Sequence, residues 1–339
     1  MSDQRRTTND DRNLSIGKLR GLQQLSDGRG IFAMCAMDHR GSLRRMLNPA
    51  APGQVRAPDI TTFKLDLAEM LAPTATAVLL DPIYGAAQAV AAGVLPGHTG
   101  LIVSAEESGY EETPAGRITT LLPDWSVAKI RRMGASGVKL LLYYRPDRAE
   151  SAARQRAVVD GVAAAAADAD LPFVLEPLLY ALTASERSSE SLGGIRADLV
   201  AQSAAELAPR GPDILKVEFP GRGLGPERWA EVCARLDETT PIPWVLLSGG
   251  AGYDEFLRWV EAACRAGASG FLGGRAVWED AASLDRGSRR RWLQTTGADR
   301  MRRLSDIAGE FGRPWWKKYA ERSSDLATPD ALWYRTYGS

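Results

Sequence analysis

Residues 137–180 read GVKLLLYYRPDRAESAARQRAVVDGVAAAAADADLPFVLEPLLY, and this stretch decides the fold. Two short apolar runs, residues 137–144 and 172–180, flank a longer segment, residues 150–169. In that segment apolar residues recur at helical spacing around an alanine-rich centre. Near-continuous apolar strands on either side of a helix are typical of a parallel sheet that helices cover on both faces. The stretch therefore predicts a strand, helix, strand unit of an α/β protein.

The same unit recurs along the chain. Short apolar runs alternate with helical patterns, and Gly134, Gly211 and Gly267 end helical segments just before a strand. The eight predicted strands are residues 31–38, 76–82, 100–106, 137–144, 172–180, 213–220, 243–250 and 270–278. Eight repeats predict a closed (β/α)8 TIM barrel. An open doubly wound sheet is the alternative, but no GxGxxG motif opens the first turn from strand to helix.

The ends of the chain differ from this repeat. Residues 1–13 are polar, and we expect them to form a disordered leader before a barrel at residues 14–312. Residues 313–339 form a C-terminal extension rich in Trp and Tyr. Aromatic density of this kind predicts packing against the barrel or against a second subunit of a homo-oligomer.

Composition excludes several classes of function. The 339 residues include 42 Lys and Arg against 42 Asp and Glu, so no overall positive field exists to hold nucleic acid or an anionic membrane. No run approaches the roughly 18 uninterrupted apolar residues of a membrane span. Cys35, Cys233 and Cys264 form no CxxC pair, which predicts buried thiols rather than disulfides or a thiolate metal site. We therefore expect a cytoplasmic protein.

Polar side chains stand at the predicted carboxyl end of every strand. In a closed parallel barrel these ends meet in one mouth, where the catalytic groups of such barrels lie. The residues are Asp38, Asp81, Glu106, Lys139, Glu176, Lys216 with Glu218, Ser248 and Arg275. The sequence thus predicts one charged site at this end of the barrel.

The segment DILKVEFP, residues 213–220, carries the strongest signal. Alternation along a strand places Lys216 on one face and the apolar Leu215 and Val217 on the other, so Lys216 points into the barrel. Burial or a second cation, here Lys139, favours the neutral amine that a nucleophile requires. The alternative is a structural network in which Lys216 and Lys139 pair with carboxylates, namely Glu218 and Glu176.

Two further segments complete the predicted site. Glu176 lies among apolar neighbours in VLEPLLY, which suits a carboxyl group that carries protons. LSGGAG and LGGRAVW end the last two strands, where glycine amides and Arg275 can bind a phosphate. Glycine turns that only join strands to helices are the alternative reading of these two segments.

The first predicted strand leads into CAMDHRGSLRRML. Asp38 can accept hydrogen bonds from sugar hydroxyls, while His39 and Arg40 can face a second anionic end of the ligand. The following Arg44 and Arg45 are expected to be solvated charges on a helix face. His39 and His98 are the only histidines in the sequence, which excludes a multi-histidine zinc site. A magnesium site built from Asp38, Asp81, Glu106 and Glu176 stays open as an alternative.

The chain resembles a known enzyme family in six segments. AMDHRGSLRRML, GVKLLLYYRPD, FVLEPLLY, PDILKVEFP, WVLLSGG and GGRAVW are similar, in order and spacing, to class I tagatose-1,6-bisphosphate aldolases and to the related aldolases of sulfofructose phosphate. The similarity covers residues 31–278. It implies a lyase of carbohydrate metabolism that needs no cofactor and no metal.

The resemblance also implies residue roles. Lys216 falls on the lysine that forms a Schiff base with the ketose, Glu176 on the group that shuttles protons, and Lys139 on an assisting lysine. The phosphate next to the ketone carbon falls on Ser248, Gly249, Gly274 and Arg275.

One departure from the family pattern concerns the substrate. The first strand of the family usually ends Asp-Gln-Arg-Gly, whereas this chain has His39 in place of the glutamine. The expected reaction is cleavage of tagatose 1,6-bisphosphate, or of another phosphorylated ketohexose, to dihydroxyacetone phosphate and a three-carbon aldehyde. The alternatives are 6-deoxy-6-sulfofructose 1-phosphate as substrate, a magnesium-dependent barrel lyase, and a non-catalytic sugar-phosphate sensor.

Overall fold

Eight parallel strands close into a barrel in the computed structural model, which describes residues 14–182, 186, 189–320, 329, 331–335 and 337–338. The ten strands are β1 (Phe32–Ala36), β2 (Ala77–Leu80), β3 (Gly100–Ser104), β4 (Glu111–Thr113), β5 (Gly116–Ile118), β6 (Gly137–Tyr143), β7 (Phe173–Leu178), β8 (Ile214–Val217), β9 (Trp244–Leu247) and β10 (Gly270–Gly273). The barrel runs in the order β1, β10, β9, β8, β7, β6, β3, β2, and β2 pairs again with β1. The predicted (β/α)8 barrel is confirmed. The predicted leader, residues 1–13, lies outside the described residues.

The helices follow the strands as the sequence pattern predicts. They are α1 (Ile16–Leu25), α2 (Gly41–Leu47), α3 (Ala57–Leu71), α4 (Ala86–Ala91), α5 (Val127–Arg132), α6 (Ala149–Asp168), α7 (Ser189–Leu207), α8 (Trp229–Thr239), α9 (Tyr253–Arg265), α10 (Arg275–Trp278), α11 (Arg286–Trp292), α12 (Ala298–Phe311) and α13 (Trp315–Ala320). Gly134, Gly211 and Gly267 have φ angles of 90°, 100° and 120°, the left-handed conformation in which helices end.

Two parts of the sequence interpretation are wrong in detail. The predicted strand at residues 270–278 ends at Gly273, and Arg275–Trp278 is the short helix α10. The antiparallel hairpin of β4 and β5 was not expected at all. It turns at residues 114–115, and β5 then begins at Gly116, whose φ of 135° is one that residues with a side chain rarely adopt.

Alternation along the strands divides the core into two layers. Val138, Leu175 and Leu215 pack in the large outer core between strands and helices. The inner core fills the barrel itself and includes Phe32, Met34, Leu79, Ile102, Val174, Ile214, Val245 and Leu272. Because side chains alternate, the positions that follow Val174 and Ile214 on the inner face are Glu176 and Lys216. The inner layer is therefore apolar at its base and charged at the carboxyl ends of the strands.

Helices α1 and α13 close the opposite, amino-terminal end of the barrel. Leu22 and Leu25 of α1 and Trp315 and Tyr319 of α13 pack on the inner core. The buried side chain of Lys318, also on α13, donates to the carbonyls of Asp237 and Thr240. No helix in the described parts of the chain has the length and apolar character needed to cross a bilayer.

The three cysteines are free and buried, as predicted. Burial raises the pKa of each thiol to about 12, so the reactive thiolate is not populated near neutral pH. None of them lies in the mouth, the name used below for the carboxyl end of the barrel.

Candidate active site

Lys139 stands at the centre of the mouth. Its ammonium group lies 2.8 Å from Asp38 Oδ2, 2.8 Å from Glu106 Oε1 and 3.0 Å from Glu176 Oε2, and its side chain is fully buried. Burial opposes the charge of Lys139, but the three carboxylates override it and raise the pKa of the amine well above its usual value. Lys139 is thus a permanent cation held by strands β1, β3, β6 and β7.

Lys216 of β8 differs from Lys139 in having one carboxylate partner. Its Nζ lies 2.9 Å from Glu176 Oε1, and its side chain is 5% exposed and borders the open cavity. Glu176 therefore bridges the two lysines, one through each carboxylate oxygen. This arrangement confirms the inward position that alternation along β8 predicts for Lys216.

The two lysines also set the charge of the carboxylates. Burial alone raises the pKa of Glu176, but the charges of Lys139 and Lys216 override it and hold the pKa below its usual value. The same two lysines hold the pKa of Asp38 well below its usual range against the effect of burial. Both groups are therefore ionised in the resting site and can accept a proton during a reaction.

Two of the predicted strand-end carboxylates lie elsewhere. Asp81 forms a buried ion pair with Lys64 of α3 and accepts hydrogen bonds from the amides of Ile83 and Tyr84. Glu218 lies beyond the end of β8, and it accepts hydrogen bonds from Arg196 Nη1 at 3.0 Å and from the Leu179 amide at 2.8 Å.

These positions correct two of the alternatives. The network in which lysines pair with Glu218 and Glu176 forms with Glu176 only. The proposed magnesium set is divided, because Asp81 is turned to Lys64 and the other three carboxylates enclose the ammonium group of Lys139. Among the residues that the structure describes, no three His, Cys, Asp or Glu side chains are arranged to hold a metal ion.

His39 and Arg40 point to different sides of the mouth. The His39 ring packs edge-on against Trp278, with centroids 5.1 Å apart, and lies next to Gly274. Arg40 extends the other way and donates from Nη2 to the Glu106 carbonyl at 2.7 Å. The two residues thus do not form one anion-binding pair, and His39 lies at the end of the mouth that holds Arg275.

Both side chains retain an unused polar atom. His39 Nδ1 and Arg40 Nη1 are buried and have no hydrogen-bond partner among the described residues. Burial, together with the charges of Arg275, Lys216 and Lys64, lowers the pKa of His39 to about 4 although Asp38 acts in the opposite direction. The imidazole is therefore neutral at pH 7, and the hydrogen-bonding capacity of both atoms is unused within the described residues.

The last two strands supply the predicted phosphate loop, Ser248–Gly250, and the Gly274–Arg275 turn beside it. Gly249 and Gly250 have φ angles of 56° and 80°, so both adopt a backbone conformation that favours glycine. A Cβ at Gly250 would lie 3.3 Å from Arg275 Nη2, which places the guanidinium group against this loop. Arg275 has no ion-pair partner in the described part of the chain.

A cavity of about 630 Å³ joins these groups. It is lined by all the predicted substrate-binding residues, by Lys216 and by Glu176, while Lys139 lies beneath it. The sequence interpretation did not include Ser42, Ser108, Tyr110 and Tyr143, which also line the cavity. Strand alternation identifies Tyr143, because it lies four residues after Lys139 on the inner face of β6.

The two arginines of α2 are not simple solvated charges. Arg44 donates to the Val55 carbonyl and to the Tyr84 hydroxyl, so its assignment as a solvated charge is wrong. Arg45 is exposed but borders the cavity. It adds a further cation to the wall of the cavity.

Comparison with known proteins gives relatives over nearly the whole chain. A family model described as DeoC/LacD family aldolase matches residues 32–280. A curated tagatose 1,6-diphosphate aldolase of Listeria monocytogenes is 34% identical over 329 residues, which covers 90% of this chain and 96% of that one. Tagatose 1,6-diphosphate aldolase 1 of Streptococcus mutans is 30% identical over 315 residues, covering 87% and 96%.

Solved structures share the barrel at lower identity. A fructose-bisphosphate aldolase of Plasmodium falciparum gives a TM-score of 0.65 at 14% identity, covering 90% of this chain and 99% of that chain. An archaeal fructose 1,6-bisphosphate aldolase gives 0.58 at 19% identity, covering 86% and 98%. At these identities the likeness shows a common fold.

Proposed function

The chain belongs to the DeoC/LacD family of aldolases, and from this premise we propose how the residues of its mouth divide the reaction. It is a class I aldolase, a lyase that cleaves a phosphorylated ketohexose such as tagatose 1,6-bisphosphate to dihydroxyacetone phosphate and a three-carbon aldehyde. The assignment of the individual catalytic and binding residues is our proposal.

The observation that carries this assignment is the unequal environment of the two lysines. Three carboxylates surround Lys139 and keep it protonated, so it has no free electron pair with which to attack a carbonyl. Lys216 has one partner and faces the cavity. Lys216 is therefore the nucleophile, and Lys139 is the cation that keeps Glu176 in place.

The bond-breaking steps follow from this geometry. Lys216 passes a proton to Glu176, 2.9 Å away, and its amine attacks the ketone at carbon two. The hydroxyl group of the carbinolamine takes that proton back from Glu176 and leaves as water, and the resulting iminium attracts the electrons of the bond between carbons three and four. Glu176, 2.9 Å from Lys216, takes the proton of the hydroxyl group at carbon four as that bond breaks. The three-carbon aldehyde then leaves, and an enamine remains on Lys216.

The same carboxyl group completes the cycle. Glu176 returns its proton to carbon three of the enamine, which becomes an iminium again. Water adds to this iminium and releases dihydroxyacetone phosphate, the water oxygen becomes the ketone oxygen, and both water protons end on Lys216, which regains its ammonium form. The proton taken from the substrate is thus returned to the product, and Glu176 ends the cycle ionised. Lys139 stabilises this ionised form at 3.0 Å throughout.

The substrate has two ends, and the mouth offers a cationic group for each. We place the phosphate next to the ketone carbon on Ser248, Gly249, Gly274 and Arg275, with His39 beside them, because the Arg275 charge is unpaired within the described residues. Asp38 lies between the two sides and can accept hydrogen bonds from sugar hydroxyls. Arg40 Nη1, with Arg45 nearby, can take the anionic group at carbon six.

The group at carbon six leaves one candidate substrate beside tagatose 1,6-bisphosphate. A sulfonate and a phosphate can both bind an arginine fork, so 6-deoxy-6-sulfofructose 1-phosphate is the second candidate substrate. The test is a turnover assay with phosphorylated and sulfonated ketoses that detects dihydroxyacetone phosphate. Release from a ketose with an anionic group at carbon six supports the proposal, and failure with every 1-phosphorylated ketose contradicts it.

Some features of the proposal concern the setting of the enzyme. Residues 14–312 act as one catalytic barrel, and helix α13, in the described part of the C-terminal extension, packs at the end opposite to the mouth. A cytoplasmic location fits the three free thiols, and a homo-oligomer fits the exposed aromatic residues Trp333, Tyr334 and Tyr337. The proposal includes a small-molecule substrate and neither a nucleic acid nor a membrane.

A further inference from the structure

Arg222 does not line the cavity but contacts Gly249 of the phosphate loop. Its Nη1 donates a hydrogen bond to the Gly249 carbonyl at 2.9 Å. Its guanidinium carbon lies 5.9 Å from the ring centroid of Trp259, a buried residue of α9. This cation–π contact restricts the position of the arginine side chain. Neither contact involves a group that the reaction uses directly.

The hydrogen bond acts on a loop that has few other constraints. Gly249 and Gly250 both have positive φ angles, and glycine loses more conformational freedom on ordering than any other residue. Within the described residues, the Ala251 amide donates to the Ser248 carbonyl, while the amides of Gly249 and Gly250 have no backbone acceptor. The hydrogen bond to the Ser248 carbonyl thus acts on the peptide that carries the Gly249 amide, and the hydrogen bond from Arg222 acts on the peptide that carries the Gly250 amide. These are the two amides that a phosphate would use.

We infer that Arg222 is a positioning residue for the phosphate subsite, because it fixes the orientation of the peptide between Gly249 and Gly250. In a planar trans peptide the carbonyl and the amide point in opposite directions. A Gly249 carbonyl held toward Arg222 therefore turns the Gly250 amide away from Arg222, toward the anion that Arg275 binds. This inference rests on the proposed phosphate site and adds a residue that the sequence interpretation did not single out.

The chain offers matched variants for the test. Arg222→Ala removes the hydrogen bond and the charge, whereas Arg222→Gln removes the charge and keeps a donor. Arg228→Ala is the control, since Arg228 is an exposed arginine of the same connection that pairs with Glu231. Borohydride reduction in the presence of ligand converts the Schiff base to a stable adduct, and intact mass then gives the half-saturating ligand concentration.

Two ligands distinguish an effect on the phosphate subsite from an effect on the whole active site. Dihydroxyacetone phosphate carries the phosphate, and dihydroxyacetone lacks it. For Arg222→Ala the half-saturating concentration of dihydroxyacetone phosphate is expected to rise roughly three- to tenfold, the range of one hydrogen bond, and that of dihydroxyacetone to stay unchanged. Arg222→Gln and Arg228→Ala are expected to stay within about twofold of the wild type.

Three results would overturn the inference. The first is a half-saturating concentration of dihydroxyacetone phosphate that Arg222→Ala leaves unchanged. The second is an equal rise of the half-saturating concentrations of both ligands in Arg222→Ala. The third is an Arg222→Gln variant that binds dihydroxyacetone phosphate as weakly as Arg222→Ala, which would show an effect of charge alone. The Arg275→Ala variant distinguishes a wrong role for Arg222 from a wrong location of the phosphate subsite. If Arg275→Ala weakens dihydroxyacetone phosphate while Arg222→Ala does not, the site stands and only the role of Arg222 is wrong. A wild type that forms no adduct overturns both.

Discussion

The two ends of the barrel both bury charged side chains, but they use them differently. At the amino-terminal end, Lys318 lies 2.8 Å from Asp237 Oδ1 and also donates to the carbonyls of Asp237 and Thr240. Asp237 in turn accepts hydrogen bonds from Trp244 Nε1 and Arg313. At the mouth, by contrast, His39 and Arg40 retain buried polar atoms without a hydrogen-bond partner among the described residues, and the half-buried Arg275 has no ion-pair partner there.

This difference separates charges that stabilise the fold from charges that bind a substrate. A buried polar group without a partner costs free energy, so a protein retains one where a ligand completes it. The mouth also concentrates the shifted pKa values of Asp38, His39, Lys139 and Glu176. Such clustering is typical of functional sites. Substitutions at the two ends should therefore have opposite consequences.

The largest expected effect follows removal of the nucleophile. Lys216→Met is expected to lower kcat by at least about 10³-fold, because no other lysine of the described residues lines the cavity. Glu176 keeps Lys139 as a partner, so the shift in Tm should be smaller than for a substitution at the amino-terminal end. Steady-state kinetics and thermal unfolding of the same preparation measure both effects. Activity within tenfold of the wild type would contradict the assigned role.

The matching substitution at the amino-terminal end is Lys318→Met. It leaves Asp237 with one cation, Arg313, and removes two hydrogen bonds to carbonyls, so the free energy of unfolding should fall by about 3 kcal/mol. Denaturant unfolding gives this value, and kcat of the folded enzyme should not change. A loss of kcat with unchanged stability would remove the distinction between the two ends.

Arg275→Ala should have a smaller effect that is specific to phosphate. A charge-assisted hydrogen bond contributes about 1.5 to 3 kcal/mol, so kcat/KM should fall roughly ten- to hundredfold for every 1-phosphorylated ketose. The loss should not depend on the group at carbon six. A variant that instead loses discrimination at carbon six would show that the substrate lies in the opposite orientation.

His39→Gln should have the smallest effect at neutral pH, and its effect should grow as the pH falls. The pKa of His39 is about 4 in the folded protein and about 6.5 in an unfolded chain, so the unfolded state binds more protons between these values. The wild type therefore loses stability as pH falls through this window, by about 2 kcal/mol between pH 7 and pH 5.

Glutamine does not titrate, so the variant should lack this part of the pH dependence. Denaturant unfolding of both proteins at pH 7 and pH 5 measures the difference. Equal losses in wild type and variant would show that His39 is not held neutral in the mouth.

Alternation of side chains explains how much of this site the sequence predicts. Glu176 and Lys216 lie inside β7 and β8, where a period of two fixes the face of each residue, and both positions are confirmed. The eight strands and most helices are predicted for the same reason, because apolar periodicity reflects two packed layers.

The rule fails where a strand ends. Alternation would also direct Asp81 and Glu218 inward, but β2 ends at Leu80 and β8 ends at Val217. Beyond those residues the chain turns, and each carboxylate is paired with a cation from a helix, Lys64 for Asp81 and Arg196 for Glu218. A single sequence does not encode such pairings as a local pattern, because the partners come from separate elements.

Long-range pairing also decides the role of Lys139. Its carboxylate partners Asp38 and Glu106 precede it by 101 and 33 residues, so only the closed order of the strands brings them together. The sequence alone therefore presents two inward lysines as equivalent. The structure separates them by the number of carboxylates that each one contacts.

The assignment of Lys216 as the nucleophile depends on this separation, and mapping the covalent adduct on the enzyme tests it. Wild-type enzyme is treated with borohydride in the presence of dihydroxyacetone phosphate, digested, and mapped by peptide mass spectrometry. The unequal environments predict one adduct, a reduced three-carbon phosphate on Lys216, because Lys139 is held protonated by three carboxylates. An adduct on Lys139 with Lys216 unmodified would show that Lys139 is the nucleophile and that the roles of the two lysines are reversed.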